Sequence, residues 1–107
     1  MITIKVDSEG VKRWYQDDKL HCLDGPAVIY PDGSMEWYLN GLRHRIGGPA
    51  IEHKDGFKSW WMNGSRHRID GPAIEYEDDN KEYWVDGRKI NPLRTIIDLI
   101  NKTKRCI

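Results

Sequence analysis

Three histidines, His21, His44 and His67, recur at a constant interval of 23 residues, and a fourth, His53, stands outside that series. Imidazole nitrogens ligate zinc and carry protons, so this recurrence is the first candidate for chemistry. Arginines flank two of the three as Arg43-His44-Arg45 and Arg66-His67-Arg68, with Arg88 and Lys89 further on. Asp24 and Asp70 lie close by, where the middle copy has Gly47. These sets do not make a catalytic signature. No Ser-His-Asp, Cys-His or phosphate-loop pattern occurs, and the only serines, Ser8, Ser34, Ser59 and Ser65, fall in hairpin or strand positions. Equivalent residues of a β-array sit two strands apart, roughly 10 Å at about 4.8 Å per strand. The ligands of one zinc all lie within about 2 Å of it, so the three histidines cannot share a metal. Each imidazole is expected to hydrogen-bond near its own turn. The paired carboxylates Asp78-Asp79 stand where other copies carry a turn glycine and read as loop solvation. The expectation is a non-enzymatic chain with no catalytic residues, no metal and no cofactor.

What remains is recognition chemistry, and the elements that position it are repeats. Gly-Pro-Ala begins at Gly25, Gly48 and Gly71; Gly41, Gly64 and Gly87 keep the same 23-residue step. One step back from Trp37 and Gly33 stand Trp14 and Gly10. A decayed unit over residues 1–18, without Gly-Pro-Ala, therefore precedes full units at 19–41, 42–64 and 65–87. Asp32-Gly33 and Asp55-Gly56 separate two runs with strand-like alternation; Asn40-Gly41, Asn63-Gly64 and Asp86-Gly87 close the second run. Such dipeptides suit tight hairpin turns. The fold class that follows is mainly β: an antiparallel β-hairpin repeat sheet over residues 1–90. A strict repeat in a meander needs an even number of strands per unit. Residues 42–46 are accordingly expected to continue, through a kink at Gly47-Gly48-Pro49, into residues 50–53.

Alignment of the units makes two aromatic rows. One is Trp14, Trp37, Trp60 and Tyr83; the other is Tyr15, Tyr38, Trp61 and Trp84. Alternation sends them to opposite faces. Leu39, Met62 and Val85 join the first row, and Val28, Ile51 and Ile74 form a further aliphatic row expected to point inward, so one face reads as apolar and continuous. Glu36, Ser59 and Glu82 accompany the second row. Both rows can serve the scaffold, since a single-layer sheet needs cover on each side. The second row can also serve a partner, because Trp, Tyr and Arg dominate interface hot spots. The candidate partner-binding residues are Tyr38, Trp61 and Trp84 as anchors, with Arg43, Arg45, Arg66 and Arg68 as a basic stripe. The competing expectation pairs these arginines with Glu36, Glu52, Glu75 and Glu82.

The motif GPA-x3-Y-x-DG-x3-W-[YW]-x-NG followed by RHR resembles a variant of the MORN-type β-hairpin repeat, of the HR-x-DGPA kind seen in bacteriophage and large DNA virus proteins. The resemblance covers residues 19–87 well and 2–18 weakly. It implies an elongated antiparallel sheet acting as an interaction scaffold, and a phage-encoded inhibitor of a host defence protein as one such role. Pro-Ala after the glycine, and Trp-aromatic-x-Asn-Gly in place of Tyr-x-Gly, depart from the usual pattern and speak against its lipid-binding role.

Composition narrows the classes further. With 107 residues, 32% of them charged, the chain makes one domain with a thin core. Basic and acidic residues balance at 17 each, which argues against a general nucleic-acid binder and against an acidic mimic of DNA. Nucleic-acid binding by an Arg/Trp stripe stays as the alternative to a protein partner. No stretch approaches the roughly 18 apolar residues of a membrane span. Cys22 and Cys106 lack any framework spacing and read as free thiols of a reducing cytoplasm. In the tail, Asn91-Pro92 opens a predicted helix over residues 91–107, with Leu93, Ile96, Ile97 and Ile100 on one stripe. That stripe caps the sheet or forms a dimer seam; a sheet edge is the other route to a homodimer.

Overall fold

The computed structural model describes residues 1–93, and every described element is a strand. β1 (Ile2–Val6) and β2 (Lys12–Gln16) form the first hairpin, and β3 (Lys19–Leu20) also pairs with β2. Each full unit then repeats one pattern. In the first, β4 (Val28–Ile29) pairs with β5 (Met35–Glu36), and β6 (Tyr38–Leu39) pairs with β7 (Leu42–Arg43). The next supplies β8 (Ile51–Glu52), β9 (Lys58–Ser59), β10 (Trp61–Met62) and β11 (Ser65–Arg66). The last supplies β12 (Ile74–Glu75), β13 (Lys81–Val85) and β14 (Arg88–Ile90). All pairings are antiparallel, and the main sheet runs β1-β2-β4-β5-β8-β9-β12-β13-β14. The result is a plate of 61 × 32 × 18 Å.

A fork at one tryptophan per unit builds this pattern. The Trp37 N–H donates to the Ala50 carbonyl at 2.7 Å, while its own carbonyl accepts from His44 N–H at 3.2 Å. Trp14 does the same with Ala27 and His21, and Trp60 with Ala73 and His67. Residues 44–49 are thereby pushed out as a loop opposite a single residue. The expected continuation of residues 42–46 through a kink into 50–53 does not form: β7 pairs with β6 in a two-stranded sheet, β8 belongs to the main sheet, and the loop separates them. The closing turn of each unit also bonds back to its opening segment: Gly41, Gly64 and Gly87 N–H donate to the carbonyls of Leu20, Arg43 and Arg66 at 2.8–2.9 Å.

The core is a double row. Ala27, Ala50 and Ala73 are wholly buried, and Val28, Ile51 and Ile74 nearly so. The aliphatic row is inward as expected, but its side differs. Val28 lies opposite Glu36, Ile51 opposite Ser59 and Ile74 opposite Glu82. Facing residues of a ladder share a face, so this row belongs with the second aromatic row, not with Trp37 and Trp60. The continuous apolar face expected from alternation is thus divided between the two sides. Of the helix expected over residues 91–107, Asn91 Oδ1 accepts from Leu93 N–H at 3.0 Å, the bond an N-cap makes; residues 94–107 lie outside the described part.

Two turn types alternate along the plate. Asn40-Gly41 has φ of 49° and 81°, and Asn63-Gly64 and Asp86-Gly87 match it, as a two-residue type I′ hairpin requires. In the wider turn Asp32 Oδ1 accepts from Ser34 N–H, and Gly33 adopts φ 95°. Asp79 holds the corresponding place in the last unit at φ 70°, and Asp18 holds the glycine place of the first tight turn at φ 66°. A side chain there costs about 1 kcal/mol that glycine avoids, offset in part by glycine's larger unfolded-state entropy. Asp79→Gly and Asp18→Gly are each expected to stabilise the fold by about 0.5 kcal/mol, read as a higher urea midpoint at unchanged slope.

Candidate interaction surface

The seven candidate partner-binding residues fall on both sides of the plate. Tyr38, Trp61, Trp84, Arg43 and Arg66 stack along one side. The Arg43 guanidinium carbon lies 6.0 Å from the Tyr38 ring centroid and 5.1 Å from Trp61. Arg66 lies 5.1 Å from Trp61 and 5.0 Å from Trp84. Each guanidinium thus bridges the aromatic rings of two successive units. Cation–π contacts of this kind contribute about 0.5–1 kcal/mol each at exposed sites. Arg43 Nε also donates to the Tyr38 hydroxyl at 3.2 Å, whereas Arg66 Nε is buried without a partner.

A carboxylate network underlies the ladder. Glu36 is buried and accepts from the Tyr30 and Tyr38 hydroxyls at 2.9 and 2.8 Å. Glu82 accepts from the Tyr76 hydroxyl at 2.8 Å and from the Trp84 indole N–H at 3.0 Å. In the middle unit Ser59 replaces the glutamate and accepts the Trp61 indole N–H at 2.8 Å. The Tyr76 hydroxyl first, and then the Trp84 indole, hold the Glu82 carboxyl below the usual glutamate range. Glu82 and burial together raise the Tyr76 hydroxyl. Burial first, then Glu36, raises Tyr30 and Tyr38, with Arg43 opposing the rise at Tyr38.

Arg45 and Arg68 occupy the other side, in the loops that leave the fork. The Arg45 guanidinium lies 3.8 Å from the Trp37 ring centroid, and Arg68 lies 3.9 Å from that of Trp60. Arg45 Nη1 donates to the Pro49 carbonyl at 3.0 Å and meets Glu52 at 3.4 Å. Arg68 repeats this with Pro72 at 3.0 Å and Glu75 at 3.2 Å, and adds Asp70 at 3.0 Å. The glycine of Gly-Pro-Ala makes room for the group: a Cβ on Gly48 would fall 2.9 Å from Arg45 Cζ, and one on Gly71 2.8 Å from Arg68 Cζ. Cys22 stands in the arginine place of the first unit, and Gly25 there has space. The four arginines therefore do not form one stripe. Two pair with Glu52 and Glu75, and two stack between rings. Each repeated histidine accepts a backbone N–H at Nδ1, His21 from Asn40, His44 from Asn63 and His67 from Asp86, at 2.9–3.0 Å. This tethers it to the closing turn of its own unit and puts the neutral-form proton on Nε2.

The loops expose a feature that alternation does not report. Leu23, Ile46 and Ile69, again 23 residues apart, are 83%, 80% and 82% exposed. They rim three successive grooves of about 400, 350 and 270 Å³ with Trp14, Trp37 and Trp60 among their lining residues. Leu39 and Met62 line the second and third, and Ile2 and Ile4 wall the first. Only their shared period could have revealed these residues, because loop positions carry no strand alternation. The described residues hold no group of three or more His, Cys, Asp or Glu placed to bind a metal, and no helix long and apolar enough to cross a membrane. The Cys22 thiol is pushed up by burial and by Asp24, which makes it a poor nucleophile near neutrality. Comparison with family models, with curated proteins and with solved structures found no match.

Gly48→Ala and Gly71→Ala are each expected to cost about 0.5–1.5 kcal/mol, the loss of guanidinium contacts as the flexible arginine end gives way. Gly25→Ala is expected to stay within about 0.5 kcal/mol of the parent. Denaturant titration of the three variants separates these outcomes.

The pH dependence follows from the network. A carboxyl held low stabilises the fold above the usual glutamate range, and that contribution is lost as pH falls through the folded-state value. A raised tyrosine stabilises below the usual tyrosine value and loses its contribution as pH rises through the folded one. Stability is expected to be flat between about pH 5.5 and 9 and to fall on both sides. Glu82→Gln should shallow the acid limb, and Tyr76→Phe with Tyr38→Phe the alkaline limb, in urea titrations across pH.

Proposed function

We propose that the chain is a non-enzymatic, MORN-like protein-interaction module that docks another protein on its grooved side. The observation that carries this is the triplet Leu23, Ile46 and Ile69, presented to solvent beside tryptophan-lined grooves. Burying one such side chain contributes about 1.5–3 kcal/mol. The fold collects none of it from these three. A row of them beside Trp14, Trp37 and Trp60 has the character of an interface: aliphatic projections, aromatic floors and a polar rim of Asp24, Asp70, His44 and His67. Tyr38, Trp61 and Trp84 are engaged with their own arginines, so they act mainly by stiffening the plate. The mechanism is steric, a rigid surface occupying a partner's site. The repeat's resemblance to bacteriophage proteins makes a host defence protein the partner to try first.

Nucleic-acid binding is the second reading. It is favoured by Arg43 and Arg66, which stack on aromatic rings with no carboxylate within 4 Å among the described residues. Phosphate contacts make affinity fall steeply with salt, whereas apolar docking does not.

Ile46→Asp with Ile69→Asp is expected to abolish affinity capture of a protein partner while leaving the urea midpoint unchanged. Arg43→Gln with Arg66→Gln should retain capture and lose stability. The reverse assignment, with a low-salt gel shift lost in the arginine variant, would establish the nucleic-acid reading instead.

A further inference from the structure

β1 is the outermost strand of the sheet, and all five of its residues are exposed. The Met1 carbonyl accepts from Asp17 N–H at 3.3 Å, and Asp7 N–H donates to the Val11 carbonyl at 3.1 Å. Residues that exchange bonds alternate along an antiparallel ladder. Met1, Thr3, Lys5 and Asp7 therefore turn their backbone groups toward β2. Ile2, Ile4 and Val6 turn theirs outward, and no described strand pairs with them. Three donors and three acceptors in an open row form a template for another strand. The usual protections are missing here: β1 has no proline and no bulge, and its one charge, Lys5, leans over the Tyr15 ring at 5.4 Å. The side chains of Ile2, Ile4 and Val6 are 66%, 56% and 61% exposed.

We propose that a second copy of this chain pairs here, β1 against β1 in antiparallel, about a two-fold axis through Ile4. This register is singled out by bonding and charge. It sets Ile2 opposite Val6 of the second copy and Ile4 opposite itself, so all six outward groups of each strand are used. Lys5 then faces Thr3. An axis at Thr3 sets Val6 beyond the β1 strand of the second copy. An axis at Lys5 leaves Ile2 unpaired and sets two ammonium groups directly opposite, which is destabilising. Facing residues of a shared sheet lie on one side. Ile2, Ile4 and Val6 of both copies therefore merge on the grooved side, and the row of grooves doubles in length. The contact is one strand wide and falls below standard interface size, so association is weak and concentration-dependent.

Sedimentation equilibrium of the full chain is expected to show a mass rising from one copy toward two between about 10 µM and 1 mM. Ile4→Pro removes an outward N–H that β2 does not use, at an edge position that tolerates proline. It is expected to keep the parent circular dichroism and remain a monomer. Register is read by single cysteines at Thr3, Ile4 or Lys5 in a Cys22→Ala, Cys106→Ala background. Oxidative dimer formation should be about tenfold greater for Ile4→Cys than for the other two, since only residue 4 meets itself within disulfide range. The proposal is overturned by a single-copy mass at 1 mM, by a dimer that survives a folded Ile4→Pro, or by cross-linking that peaks elsewhere or nowhere. If Ile4→Pro does not fold, the cysteine series alone decides.

Discussion

The fold turns on one backbone event, the split of hydrogen bonding at Trp14, Trp37 and Trp60. At each, the N–H goes forward to an alanine carbonyl and the carbonyl accepts from a histidine N–H several residues earlier than regular pairing would supply. One residue on one strand thus faces a whole loop on the other. Such a junction is held only if the loop is held. The arginine clamped between indole and glycine does this in two units: it caps the Pro49 or Pro72 carbonyl, meets a glutamate and covers the ring. Gly-Pro-Ala is then intelligible residue by residue. Glycine admits the guanidinium, proline presents the carbonyl it binds, and alanine is the small residue that fits wholly buried beneath the indole row.

A single layer has no second sheet to bury its faces against, and the two sides meet that constraint differently. On one side, tyrosines and indoles converge on Glu36, Ser59 and Glu82, and guanidiniums fill the gaps between rings. That surface engages most of its own hydrogen-bonding and π-stacking capacity, Arg66 Nε being the exception. On the other, the loops stand clear of the plate and carry aliphatic side chains outward. Cross-strand charges alternate along the strand ends, with Glu52 opposite Lys58, Lys58 opposite Glu75 and Glu75 opposite Lys81. This arrangement favours the native register, because a slip of one strand would part these opposite charges.

The repeat and its hairpins were legible in the sequence because glycine, asparagine and proline report backbone geometry directly; the loop that parts β7 from β8 was not, and a continuous kinked strand was expected in its place. Asn40-Gly41 and Gly48-Pro49 leave few alternatives. The two-sided placement of the aromatic rows followed from alternation, which survives the fork because Trp37 still separates Glu36 from Tyr38. The side of Val28 was not legible. It depends on register between strands, and register is fixed by the turn at Asp32-Gly33 rather than by the pattern of either strand alone. The arginines were misplaced as a stripe for a related reason. Arg43 and Arg45 are two apart, which in a strand means the same side, but Arg45 lies beyond the point where strand geometry ends.

Differences between units act as internal substitutions, and they are mutually consistent. Where glutamate stands at 36 and 82, tyrosine stands at 30 and 76 to donate to it; where Ser59 replaces glutamate, His53 replaces the tyrosine, and the indole of Trp61 takes the serine instead. Where Cys22 replaces arginine, Asp24 accepts from the thiol, and Gly25 keeps the space the guanidinium would occupy. These positions trade polar partners together, which is what a satisfied scaffold demands. Leu23, Ile46 and Ile69 follow another logic. Their neighbours change from Cys22 to Arg45 and from Asp24 to Gly47, yet each stays a large aliphatic residue in solvent. Packing within the plate does not require that. A surface that presents the same shape at every step along the array would, and that is the ground on which the aliphatic row is assigned to the proposed docking side rather than to the stability of the fold.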